Sequence, residues 1–272
     1  MIASAQDRAT RIQEHAELTR HLRVRDLLHQ EAVTEADTEA SLAGFLAYFE
    51  RALDFLIEML YATPALVSLS TKMDEFKSQA KHWFHSSLYT FRSSVMLSSR
   101  GYYLEAQILD RHLIEILVKL RYFFLHPERL ETFQSLAKKK KPTIQWKVMF
   151  DEVLLGYYED EYSWSLSYVA HGGVGANVYR VRRDASGIGT ADTGVAYKEF
   201  WASAFANQTT VCLLGFIRTY QRIFADSIST FSPQLRRDIS EVETSLESAI
   251  QSHIQKFGRN RWHDATEPIW KC

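Results

Sequence analysis

Two helix-spaced pairs and one histidine beside glycines are the groups in this chain best suited by type and spacing to do chemistry. Arg111 and Glu115 stand four residues apart, so a guanidinium and a carboxylate can pair on one helical face. Leu104, Ile108, Val118 and Tyr122 share that face, which predicts a pair partly removed from water. Such a pair either lines a polar pocket and orients a ligand, or fixes helix register as a structural ion pair. His171 closes the aromatic run Tyr162-Ser-Trp-Ser-Leu-Ser-Tyr-Val-Ala and opens Gly172-Gly173. An imidazole at a helix C-terminus is more readily protonated, and glycines let backbone approach a ligand closely. His171 is therefore a candidate general acid or base, with Ser167 one turn back; capping the last carbonyls is its other role. Arg180, Arg182 and Arg183 follow in the glycine-rich stretch 171–194 and are candidate ligand-binding residues.

Arg121 and His126 have the Arg-x4–6-His spacing used by some helical ribonucleases. There the histidine assists removal of the ribose 2′-proton and the arginine steadies phosphate charge, with no metal required. The same spacing recurs at Arg8–His15 and Arg23–His29, so chance competes with the catalytic reading. His82 and His85 share a helix face, but no Glu-x-x-His or carboxylate at matching spacing accompanies them, which argues against a di-iron bundle. They read instead as surface or interface residues beside Trp83. The run Lys138–Lys141 suits a phosphate backbone or, more plainly, a solvated loop.

Helices must position all of these. A charged helix is expected over 6–33, and an apolar one over 39–61 that stops before Pro64. A third spans 72–99, with Gly101 suited to the left-handed position just past its end. The fourth, 102–125, repeats Ala106, Leu109, Leu113, Leu117, Leu120 and Phe124 at steps of three and four, a core-facing stripe. Pro127 starts a short helix; others are expected over 143–155, 158–170, 195–229 and 233–257, with a tail from Gly258 to Cys272. No run of strands stands out. The fold class is all-α, a mostly antiparallel helical bundle.

The 272 residues, 46% hydrophobic and 24% charged, are an ordinary globular balance. A formal charge of −1 supplies no global basic field for nucleic acid, so such contact would need a local patch. Cys212 and Cys272 make neither a disulfide framework nor a zinc site, which fits a reducing cytoplasm. The N-terminus lacks the pattern of a secretory signal. The most membrane-like stretch, 200–217, carries Asn207-Gln-Thr-Thr210 in its middle, polar groups that a protein interior tolerates better than lipid. No membrane span and no cofactor is expected. The aromatic content and the apolar helix 39–61 favour self-association, most simply a two-fold dimer.

The stretch Ser99-Arg-Gly-Tyr-Tyr-Leu-Glu-Ala-Gln-Ile-Leu-Asp-Arg111-His-Leu-Ile-Glu115 resembles a group of uncharacterised bacterial helical domains. Their pattern is a short turn, a Glu-Ala pair, then Leu-x-Arg-x-x-x-Glu. The pair Leu166-Ser167 ahead of His171-Gly is similar to their second block. The resemblance spans 76–177, and these domains in turn resemble the HEPN-like superfamily of helical bundles. That implies a HEPN-like core over 72–177 within one helical domain of 1–272, flanked by N-terminal helices (1–70) and C-terminal helices (195–257). It also implies a setting: many HEPN-like members are RNA-cutting toxins or phage-defence effectors, and others are inactive dimerising or nucleotide-binding modules. The expectation is a cytoplasmic protein of a bacterial stress or phage-defence system that binds or cleaves RNA or a nucleotide. If it is an enzyme, it is a metal-independent ribonuclease using His171, or Arg121 with His126. A non-catalytic dimerisation or partner-docking module is the alternative.

Overall fold

A computed structural model describes residues 24–63, 70–138, 145–154, 181–183, 189–191, 199–226 and 233–257. These residues form seven helices: α1 (Val24–Ala62), α2 (Lys72–Ser99), α3 (Tyr103–Leu125), α4 (Arg129–Lys138), α5 (Trp146–Val153), α6 (Glu199–Ile223) and α7 (Pro233–Phe257). Within 171–194 lie two three-residue strands, β1 (Val181–Arg183) and β2 (Gly189–Ala191), paired antiparallel with Arg182 opposite Thr190. Arg182 and Arg183 therefore sit on a ribbon where the sequence reading expects loop. Three residues are too few to show the alternation that marks a strand, and the architecture remains all-α.

α2 starts and stops where its sequence dictates. The Thr71 hydroxyl accepts from the Asp74 amide at 3.1 Å, and the Asp74 carboxylate accepts from the Thr71 amide at 3.0 Å, a reciprocal cap. The Thr71 side chain is the first cause holding the Asp74 carboxyl below its usual range. At the other end Gly101 takes φ 87°, and its amide reaches the Ser98 carbonyl at 3.1 Å.

α1 corrects the expected break between 33 and 39. No proline or glycine stands there, and Thr34 and Thr38 are buried against the α2–α3 turn, the Thr38 hydroxyl reaching the Ser99 carbonyl at 2.9 Å. The helix instead kinks at Leu42 (φ −123°, ψ 15°), between Ser41 and Gly44.

The core is organised around α6. Its Phe216 and Tyr220 meet Phe84 of α2 edge-on at 5.7 and 4.9 Å between ring centroids, and Phe216 meets Phe91 at 5.0 Å. Successive contacts with α3 run in the same chain direction, Thr209 beside Asp110 and Thr219 beside Arg121. Tyr220 donates to the Met59 carbonyl of α1 at 2.9 Å and also bonds the Thr63 hydroxyl. α7 runs back along α6, with Arg218 bridging Glu243 and Glu247, and ties to α1 through Arg51–Glu241 at 3.2 Å. α6 is thus parallel to α3, and antiparallel to α2 and α7. Residues Asn207, Gln208, Thr209 and Thr210 are all buried in this packing. No helix of the described residues is long and apolar enough to cross a membrane.

Candidate functional site

The ion pair on α3 forms: Arg111 Nε donates to Glu115 Oε1 at 3.0 Å, with the side chains 20% and 17% exposed. One turn on, Lys119 places its ammonium 5.1 Å from the Trp146 ring of α5. Burial pushes the Lys119 pKa down, against the pull of the Glu115 charge. Arg111, Glu115 and Lys119 make one charged stripe along α3. The candidates His171, Ser167 and Arg180 lie outside the described residues.

Arg121 and His126 are not brought together. Arg121 is 3% exposed and turns into the core, its Nε donating to Thr219 Oγ1 of α6 at 3.2 Å. Burial lowers its pKa to about 10. Gly215 makes the room: a Cβ there would stand 3.1 Å from Leu117 Cδ2 and 3.5 Å from Arg121 Nη2. His126 follows the last turn of α3, its amide on the Tyr122 carbonyl at 3.0 Å. Its ring lies 2.5 Å (Nε2) from Glu152 of α5 and 3.6 Å (Nδ1) from Glu128. A substrate touching His126 would meet the α3–α5 junction, with Arg121 behind the helix.

The strongest buried polar cluster was not singled out from sequence. Asp110 is fully buried, with Ser94 Oγ 2.5 Å from its Oδ1 and Thr209 Oγ1 3.3 Å from both carboxyl oxygens. Burial pushes its pKa up to about 7, against the two hydroxyls. The nearby Cys212 thiol is raised first by its own burial and then by Asp110, with Arg121 acting the other way. A signal existed: Asp110 is four residues after Ala106 and three before Leu113, in phase with the apolar stripe. Between α6 and α7, Ser203 Oγ and His253 Nδ1 also meet, at 2.9 Å, and both residues are buried.

His82 and His85 are exposed on α2, as the surface reading has them. They line a cavity of about 590 Å³ bounded by the C-terminal end of α1, by α2 and by Phe224 just past α6. Lys77, Ser78 and Lys81 of α2 add to the same wall, opposite Leu60, Tyr61 and Phe224. Positions 77, 81 and 85 follow one another at steps of four, so a single face of α2 carries two ammonium groups and an imidazole. Lys81 Nζ donates to the Thr63 carbonyl at 2.5 Å, at the end of α1 where backbone oxygens lack helical partners. Lys77 Nζ stands 3.6 Å from Asp226 Oδ2. Among the described residues no group of three or more histidine, cysteine or carboxylate side chains is arranged to hold a metal. The arrangement is suited to an anion.

Comparison of the chain with protein-family models, with curated proteins and with solved structures gives no match in any of the three.

Proposed function

We propose that the protein is a cytoplasmic, HEPN-like binding module of a bacterial stress or phage-defence system. In this reading it takes a phosphate-bearing ligand, RNA or a nucleotide, in the α1–α2–α6 cavity. One observation carries it: Lys77, Lys81, His82 and His85 converge on about 590 Å³ of space in a protein whose formal charge is only −1. That volume is typical of small-molecule sites. Phosphate rewards several N–H donors at once, because each charge-assisted bond is roughly twice as strong as a neutral one. Leu60, Leu88 and Phe224 give an apolar wall for the rest of the ligand.

Binding rather than cutting is proposed because the arginine and histidine of the ribonuclease spacing face different helices, α6 and α5. Calorimetric titration of the full chain with ATP and with a 5′-phosphorylated single-stranded RNA tests the reading. At least one should bind, more weakly in higher salt. Lys81→Met should weaken binding about tenfold or more, the value of a charge-assisted hydrogen bond. Arg51→Ala, on the remote α1–α7 surface, should leave it unchanged. If neither ligand binds, or if Lys81→Met has no effect, the cavity is not the site.

A further inference from the structure

We infer that the cavity takes a free phosphate monoester of mononucleotide size, and that its phosphate displaces the Asp226 carboxylate at Lys77. The inference rests on the reading of the cavity as a phosphate site and specifies how that site is occupied. Size comes first. A half-open space of about 590 Å³ has the size of a small-molecule site, whereas proteins that bind single strands use charged grooves that track several nucleotides of backbone. The lining is divided to match: ammonium and imidazole groups on α2, and Leu60, Tyr61 and Phe224 for a flat, less polar body.

The two lysines are held unequally. Lys81 is anchored by the 2.5 Å bond to the Thr63 carbonyl, and an ammonium has two further protons for a ligand. Lys77 is only 16% exposed, yet its ion-pair partner is a carboxylate 3.6 Å away on a side chain that is 94% exposed. A charge-assisted N–H···O bond is about 2.7–2.9 Å long, so Asp226 neutralises Lys77 without closing a full hydrogen bond. An ion pair at the surface is worth little. A phosphate in the cavity would accept from Lys77 at bonding distance and would repel Asp226 from the same point. Asp226 therefore acts as a resident competitor that sets the affinity of the site and rejects weakly charged ligands.

The test is a double-mutant cycle on the full chain, read by calorimetry with AMP, inorganic phosphate, adenosine and an unphosphorylated RNA oligonucleotide as probes. AMP should bind and adenosine should not. Asp226→Asn should tighten AMP about two- to fivefold, the range open to a surface ion pair. Lys77→Met should weaken it about tenfold or more. In the Lys77→Met background Asp226→Asn should change nothing, while circular dichroism shows every variant folded. If AMP binds the wild type but Asp226→Asn leaves it unchanged or weaker, the competitor role is overturned and the phosphate site stands. RNA binding without AMP or phosphate binding overturns the size class. Absence of binding by every probe overturns this inference and the proposed function together.

Discussion

Replacing Asp110 by asparagine should remove the pH dependence of that position's contribution to stability, and the geometry gives the size. Thr209 has one hydroxyl proton and two acceptors in reach: the Phe205 carbonyl at 2.9 Å and the Asp110 carboxyl at 3.3 Å. The shorter bond claims the proton, so a protonated Asp110 donates to Thr209 while Ser94 donates to Asp110 Oδ1 at 2.5 Å. That fits a folded-state pKa of about 7 against an ordinary 3.8, caused first by burial. The folded chain then holds a proton that the unfolded chain has released between those values. Stability accordingly falls as pH rises from about 4 to about 7, and levels off above. About three pKa units at 1.36 kcal/mol each make the fall on the order of 4 kcal/mol. Asparagine keeps the shape and both bonds, donating to Thr209 and accepting from Ser94, but leaves one amide proton to satisfy, costing about 1–3 kcal/mol. Urea unfolding at pH 4 and pH 8 isolates the effect, because other titrations are common to both proteins. Asp110→Asn should be less stable than wild type at pH 4 and more stable at pH 8, the difference changing by roughly 4 kcal/mol. A difference that is the same at both pH values would refute the neutral-acid assignment.

Other substitutions test the same packing. Arg111→Ala removes the 3.0 Å bond to Glu115 in a setting between surface and core, and should cost about 1–2 kcal/mol in urea unfolding; a loss of only a few tenths would place the pair in water. Gly215→Val adds side-chain atoms where a bare Cβ already meets Leu117 Cδ2 at 3.1 Å, so overpacking should cost about 1–3 kcal/mol in thermal or urea unfolding. An unchanged midpoint would mean that Leu117 and Arg121 shift freely. Tyr220→Phe removes the 2.9 Å bond to the Met59 carbonyl and should cost about 1 kcal/mol; it should also speed amide exchange at Thr63, which native-state hydrogen exchange would detect.

Local signals were read well at most of the places where they were strong. Gly101 closes α2 in space as its place in the sequence predicts, and Pro233 opens α7 as expected; the Thr71–Asp74 cap at the other end of α2 was a legible signal left unread. The break in α1 was misplaced because Thr34 and Thr38 look like a polar boundary until the turn that buries them is present. The apolar face of 39–61, read as a reason for dimerisation, turns largely inward: Phe49, Phe55, Leu56, Met59 and Leu60 lie in the core. Tyr48 and Tyr61 remain exposed. Asp110 carried a local clue, but its partner Thr209 comes from a helix 99 residues away. Lys77 and Lys81 gained meaning only once the ends of α1 and α6 closed a cavity around them. The sequence pattern shows which face a residue occupies, while the chemistry of that face depends on distant segments.

The central placement of α6 also sets a timetable for synthesis. Its partners in α1, α2 and α3 are complete by Leu125, whereas α6 does not begin until Glu199. The bond from Tyr220 to Met59 spans 161 residues. At about 5–20 residues per second, the first three helices would wait several seconds on the ribosome with Phe84, Phe91 and Leu117 lacking their final cover. Contacts of such long sequence separation also slow folding once the chain is free. Newly made chains are therefore most exposed to aggregation, and to capture by chaperones, in the interval before α6 emerges.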